Sequence, residues 1–557
     1  MCGIFCIFSP SDYNITEKLS KTFQEFNFNI SRRGPNHSKV EICHNEDQIF
    51  LFAGSVLWLQ GSKLTKQPIN EEEHILVYNG DIFDQDSSFS RSVHGDTKLF
   101  LTFLKSKASL HKLFNTNGPF SFIYLDKVNS TLYFGRDKYG RRSLLIGYCD
   151  DSFIITSVAK RNTDYKFMEV PSVGIFSINF NKKKQFHVKP WFEINHNILT
   201  KINELNIFLN EKIQIDESII TSSLFKEFVE PSAADLCSLD ILKNVSSSNA
   251  LTAITSSVNI ANNLQELKNR LENAIQKRIS NGVKFCQNCI REQKPCKHSI
   301  VGVLFSGGVD CAILAYMAHK FIEKDRPIDL LNVAFSNNDF NTPDRKTGLQ
   351  SFEELKLLFP ERTWNFVEIN VTFEELDNER SNRIADLIYP LNTVLDDSLG
   401  CALWFASRGI SGDYIPPCRI LLVGMGADEL FGGYTRHRAA FKSEGWFGLH
   451  NILREDWENL PYKNLGRDDR VVSDHGRQLR TPYLDEDVVN FVQNLNCWER
   501  TFPSDDVSQE IGTKFLLRAL AFNLGFTKAA VLKKRALQFG CRIANSKENA
   551  HEVSPRL

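Results

Sequence analysis

SIVGVLFSGGVDCAILAYMAHK, residues 299–320, sets the reading of the whole chain. An apolar run over 300–305, rich in Val, Ile and Leu, has the composition of a buried parallel strand. It stops at Ser306-Gly307-Gly308-Val309-Asp310, and Ala312, Leu314, Ala315, Ala318 and His319 continue in a helical pattern. Paired glycines permit a tight turn with no side chain between backbone and ligand. A helix starting there aims its free N–H groups into the turn, which favours an anion. An ordinary strand–turn–helix corner would need only the glycines. Ser306 before them and Asp310 after them point instead to a nucleotide phosphate site. No Gly-Lys-Ser/Thr follows, so the loop is not of the Walker type.

Length and composition bound the rest. A chain of 557 residues has room for two or more domains. Its 42% hydrophobic and 24% charged residues are those of a globular protein with a sizeable core. A formal net charge of -1 argues against a general nucleic-acid or membrane-surface binder, so neither partner is expected. No apolar run approaches the roughly 20 residues of a membrane span, and the first residues lack a signal-peptide pattern. Thirteen scattered cysteines, an odd number, fit reduced thiols in the cytosol or nucleus, a cytoplasmic setting first, better than a disulfide framework.

The chain opens Met1-Cys2-Gly3-Ile4-Phe5. Removal of Met1 would leave Cys2 with a free α-amine, whose ordinary pKa of about 8 suits a base beside a nucleophilic thiol. Runs over 49–59, 74–79, 120–125, 131–134, 143–147, 152–157 and 174–180 read as strands, and 17–28 and 96–105 as helices. Many strands flanked by two helices predict a stacked-sheet αββα sandwich with the N-terminus on an inner strand. Cys2-Gly3-Ile4, Arg33-Gly34-Pro35, Gln67-Pro68, Asn79-Gly80-Asp81-Ile82-Phe83, Gly95-Asp96-Thr97, Asn117-Gly118-Pro119-Phe120 and Gly135-Arg136-Asp137 through Gly140 stand in one order. In that order they resemble glutamine amidotransferases of the N-terminal-nucleophile class, over about the first 190 residues. The resemblance implies Cys2 as nucleophile, Asn79 and Gly80 as the oxyanion hole, and Asp96 as anchor for the glutamine α-amino group. The family's Arg for the substrate α-carboxylate falls on Val56 here, and Asp81 and Ser143 stand where the family more often has Glu and Pro.

Ser, Asn and charged residues dominate 230–257, and the stretch 191–263 is expected to be a linker with one short helix. Leu264, Leu267, Leu271, Ala274 and Ile275 then mark a helix into the second half. Before the glycine loop stand Cys286, Cys289, Cys296 and His298. Cys-x-x-Cys has the bite of a zinc knuckle, whereas Cys-x-His is tighter than usual structural spacings. Incidental thiols in an exposed insertion are therefore the favoured reading over zinc.

After the loop, strands expected at 329–334, 364–369 and 420–423 alternate with helices at 352–359, 373–388 and 395–406. That alternation predicts a doubly wound parallel sheet with ligands at the strands' carboxyl ends, an α/β fold overall. Gly424-Met425-Gly426-Ala427-Asp428-Glu429 follows the last of these strands, with acids that suit Mg²⁺ or cap the next helix. This motif, Ser306–Asp310, Asp396-Asp397 and Arg480-Thr-Pro-Tyr-Leu-Asp485 together resemble the ATP-pyrophosphatase-like domain of asparagine synthetases. Trp364 to Asn370, Cys401 to Gly409, Asn464 to Arg470 and Gln538-Phe539-Gly540 resemble the asparagine synthetase domain-containing subgroup.

The resemblance implies ATP contacts from Leu304, Ser306, Gly307, Gly308, Asp310, Val333, Val423 and Gly424, and Mg²⁺ on Asp310 and Asp428. It implies ATP-dependent amidation of aspartate to asparagine with ammonia from glutamine, releasing AMP and pyrophosphate. Met425 replaces an expected Glu and Ala536 an expected Lys, with Arg535 the candidate substitute. With Val56, these replacements keep open a catalytically impaired scaffold or regulator that still binds ATP. An adenylating enzyme with a different acceptor is a third reading. The expected domain map is amidotransferase 2–190, linker 191–263, synthetase domain 264–545 and tail 546–557.

Overall fold

The computed structural model describes residues 2–557 except 13, 84–90, 106–112, 114, 182–183, 217–224, 257, 281 and 545–547. In the N-terminal half two sheets, antiparallel but for one edge pair, stack face to face. One has six strands, with Gly3–Pro10 paired between Gln48–Val56 and Ser152–Thr156. The other has seven, with His74–Gly80, Phe120–Asp126 and Thr131–Arg136 consecutive in it.

Alternation along the first strand explains the layering. Ile4, Cys6 and Phe8 pack with Ile75, Val77, Ile123 and Leu125 of the other sheet, while Phe5 and Ile7 pack outward on Leu19, Phe23, Phe26 and Ile30 of helix Ile15–Arg33. Phe100 of helix Arg91–Leu104 closes the outer face of the second sheet over Phe120 and Phe122. The expected αββα order is therefore present, and Cys2 enters at the seam between the sheets.

In the C-terminal half five parallel strands run in the order Trp364–Val371, Ile328–Phe335, Val301–Leu304, Ile420–Leu422, Gln478–Arg480. Val301–Leu304 comes first in the chain yet third in the sheet, so the winding reverses between it and Ile420–Leu422. That switch point is where a doubly wound sheet leaves a crevice at its carboxyl edge.

Two expectations need correction. The stretch 191–263 is not a linker. Helix His196–Leu209 buries Ile198, Ile202, Leu205 and Leu209 against the N-terminal sandwich, and Ile213–Ile215 pairs in parallel with Gln185–Pro190. Helices Ala233–Asp240 and Ser247–Ser256 bury Leu239, Ala250, Leu251 and Ile254 in the C-terminal core. A few apolar residues at helical spacing outweigh the polar composition around them. Nor do the described residues of the expected tail, 548–557, hang free: Ser554 Oγ and Arg556 Nε donate to Asp397 Oδ2 at 3.0 and 2.8 Å.

Ion pairs, most of them buried, join the halves. Asp469 meets Arg33 at 2.7 Å and Arg142 at 3.2 Å, Glu486 meets Arg141 at 2.6 Å, and Asp474 holds Arg32 at 3.0 Å. Asp469 Oδ2 also accepts from the Ser143 N–H at 3.2 Å, and Arg470 Nη1 donates to Ser143 Oγ at 2.8 Å. A proline at 143 has no N–H, so the Ser143 departure serves the contact made by the Asn464–Arg470 segment.

Candidate functional sites

Cys2 sits at the end of one inner strand and Asn79 at the end of the facing one. Asn79 Oδ1 accepts from Cys2 N at 2.9 Å, which turns Asn79 Nδ2 toward no partner among the described residues although it is buried. Gln67 Nε2 lies 3.6 Å from Cys2 Sγ. The cavity beside the thiol holds about 50 Å³ and is walled in part by Val56, Gln67, Gly80, Asp81, Asp96 and Gln478. Gly80 must lack a Cβ, which would stand 2.5 Å from Pro119 O and 2.7 Å from the Tyr78 hydroxyl. Burial pushes the Cys2 thiol up, against the pull of a hydrogen bond from the Leu57 backbone.

The expected residues Cys2, Asn79, Gly80 and Asp96 thus come together, with Asp96 Oδ2 accepting from Ile82 N at 2.6 Å. Val56 is on the cavity wall, where the resemblance placed an arginine. No Lys, Arg or His is among the described residues lining the cavity. Asp81 stays ionised there: burial would raise it, but Arg480 and Arg142 hold its carboxyl below the usual range.

The second site lies at the switch point. Gly307 has φ +83, and a Cβ there would stand 2.3 Å from Thr347 O. Thr347 Oγ1 donates to Ser306 O at 2.8 Å and Ser351 Oγ to Gly307 O at 2.6 Å, so helix Pro343–Leu358 fixes the loop from below. Gly424 lets the loop after Ile420–Leu422 approach, since its Cβ would lie 2.8 Å from Asp310 Cβ. Leu304, Val333 and Val423 line the carboxyl edge of three adjacent strands.

Asp310 and Asp428 meet through a residue the sequence did not reveal. Lys514, only 1% exposed, places Nζ 2.6 Å from Asp310 Oδ2 and 2.7 Å from Asp428 Oδ1. Lys534 Nζ lies 2.9 Å from Asp428 Oδ2. Both ammonium groups hold Asp428 well below the carboxylate range against the cost of burial, and the two carboxylates hold Lys514 up. Asp310 Oδ1 is buried with no hydrogen-bond partner among the described residues. Burial and the neighbouring Asp428 push Glu429 up to about 7, while the Tyr434 hydroxyl donates to it at 2.7 Å.

These contacts correct the reading of Arg535 as the cation near Ala536. Lys534 reaches Asp428, whereas Arg535 bears, together with Lys534, on Asp344, which burial nonetheless pushes up to about 7. Asp396 and Asp397 spend their oxygens on Arg467 at 2.7 Å and on Arg380 and Arg556 at 2.8 Å each, a structural role. The three cysteines and His298 also converge, every ligand atom within 4.8 Å of the others.

Two family models match the chain, a glutamine amidotransferase domain over residues 56–162 and asparagine synthase over 296–449. An asparagine synthetase domain-containing protein of Drosophila melanogaster is 34% identical across 100% of both chains. Asparagine synthetase domain-containing protein 1 of Homo sapiens is 33% identical over 100% of this chain and 97% of its own. A glutamine-hydrolysing asparagine synthetase of Sandersonia aurantiaca is 23% identical over 89% of this chain and 78% of its own.

Proposed function

The chain belongs to the asparagine synthetase domain-containing proteins, and from that premise we propose that it binds ATP at the Ser306–Asp310 loop and uses it to amidate aspartate. The observation that carries this reading is the convergence of Asp310, Asp428 and Lys514 at the switch point. ATP would lie across Leu304, Val333, Val423 and Gly424 with its phosphates over Ser306, Gly307 and Gly308. An aspartate carboxylate oxygen attacks the α-phosphorus, pyrophosphate leaves, and ammonia displaces AMP from the acyl-adenylate. Lys514 and Lys534 neutralise charge that develops on the phosphates. Mg²⁺ fits the donor set, because Asp310 and Asp428 offer hard oxygens and Asp310 Oδ1 lacks a partner among the described residues. Bound there, it would screen the phosphate oxygens.

Ammonia comes from glutamine at Cys2. The thiolate attacks the carboxamide carbon, ammonia leaves, and water hydrolyses the thioester to glutamate. The α-amine exposed by loss of Met1 takes the thiol proton, Asn79 Nδ2 and Gly80 N–H receive the oxyanion, and Asp96 holds the substrate amine. A cytoplasmic setting accords with thirteen free thiols.

A second reading, an ATP-binding regulator without glutamine turnover, is favoured by the cavity beside Cys2, whose described lining offers no cation for the α-carboxylate. Aspartate-dependent pyrophosphate and asparagine formation, with glutamine and separately with ammonium, decides between them. Cys2→Ala should abolish only the glutamine-driven reaction and Asp310→Ala both. Turnover with ammonium alone would remove the glutaminase step. ATP binding without pyrophosphate from either nitrogen source would establish the regulator.

A further inference from the structure

We propose that Cys286, Cys289, Cys296 and His298 bind a structural Zn²⁺ that clips the segment between helix Val258–Ser280 and strand Val301–Leu304. Tetrahedral zinc with Zn–S of about 2.3 Å and Zn–N of about 2.0–2.1 Å sets neighbouring S and N atoms about 3.6 Å apart. His298 Nδ1 lies 3.4 Å from Cys286 Sγ and 3.5 Å from Cys289 Sγ. Cys296 completes a set of four ligand atoms all within 4.8 Å of one another.

The tight Cys-x-His spacing is met because Nδ1, the ring nitrogen nearer the backbone, faces the sulfurs. Cys286-x-x-Cys289 closes as a turn in which the N–H groups of Cys289 and Ile290 donate to Cys286 O at 3.3 and 3.1 Å. Thiolates select zinc over the hard cations that suit Asp310 and Asp428. With all four positions filled by protein, the site leaves no place for substrate and is structural.

On binding, three thiols give up their protons to solvent, and three thiolates against a divalent ion leave one net negative charge. Arg326 is placed to meet it. This buried guanidinium comes within 4.0 Å of Cys296 Sγ, and it donates to His298 O and Lys284 O at 3.1 Å each. It thereby ties both ends of the segment.

The position gives the clip its consequence. Val283 N donates to Leu59 O at 2.9 Å, and Leu59 lines the Cys2 cavity. Gln287 N donates to Pro417 O at 2.9 Å, just ahead of the strand that leads to Asp428. The segment itself runs into strand Val301–Leu304, which leads to Ser306. One ion would therefore steady the supports of both sites.

The test uses the full chain purified without chelator. Elemental analysis should find about one zinc per chain, and replacement by Co²⁺ should give thiolate charge-transfer absorption with the strong visible bands of a tetrahedral site. A Cys289→Ser, Cys296→Ser double variant should lose both signals. Chelation should speed amide exchange over 282–300 and lower the melting temperature. Zinc near zero with no cobalt spectrum, iron with labile sulfide, or a disulfide among the three cysteines would each overturn the proposal. The wild-type measurements decide it even where the double variant fails to fold.

Discussion

Lys514→Ala removes the ammonium that bridges Asp310 and Asp428. Taking one partner from a buried ion pair costs about 3–5 kcal/mol. Here the acids keep 22% and 18% of their side-chain surface, and Lys534 still covers one oxygen of Asp428. We therefore expect a loss of about 2–4 kcal/mol. Unfolding entropy of about 2.1 cal/mol/K per residue over 557 residues gives about 1.2 kcal/mol/K, so the melting temperature should fall by about 2–3 °C. The variant also leaves two carboxylates facing each other with less compensation. Millimolar Mg²⁺, without nucleotide, should restore the variant toward wild type while moving wild type little. Thermal unfolding of both proteins with and without MgCl₂ reads both effects. A variant that melts with wild type and ignores Mg²⁺ would refute the bridge.

Glu429 is pushed up to about 7 from an ordinary 4.5, so its contribution to stability is full below about 4.5 and is lost as pH rises toward 7. Glu429→Gln should remove that slope, and denaturant unfolding should show the variant gaining up to about 3 kcal/mol on wild type between pH 5 and pH 8. A pH-independent difference would mean that Glu429 is charged throughout. Val56→Arg should bring a guanidinium to the Cys2 cavity and lower the KM for glutamine about tenfold or more, with Val56→Leu as control. An unchanged KM in a folded variant would show that the missing cation is not what limits glutamine. Ser143→Pro should cost about 2–3 kcal/mol in urea unfolding, because Asp469 loses an N–H donor and Arg470 an acceptor. Wild-type stability would remove the role given to Ser143.

Runs with both faces buried were legible because nearly every residue in them is apolar or small, as in Gln48–Val56 and Ile328–Phe335. His37–Asn45 was not, since this edge strand buries no residue fully, leaves Ser38, Lys39 and Val40 exposed in a row and carries charge. Gln478–Arg480 is three residues long, buried, and two of its three side chains are polar. At the sites, residues within a continuous motif were found, whereas Lys514 meets Asp310 across 204 positions and belongs to no motif. The one local sign is Gly433, whose Cβ would stand 1.8 Å from Asp428 Oδ1 and 2.4 Å from Lys514 Cε. The convergence of Cys286, Cys289, Cys296 and His298 is hidden from spacing, which counts residues and ignores which imidazole nitrogen faces the sulfurs.

The charges buried where the halves meet make them a matched set. Asp81 of the first half is held by Arg480 and Gln478 of the second, and Asp469 of the second by Arg33 and Arg142 of the first. Either half expressed alone would expose a surface of stranded charge. A chimera joining halves of two distant relatives would inherit arginines without their acids. Substitutions on one side should therefore persist only with answering changes on the other.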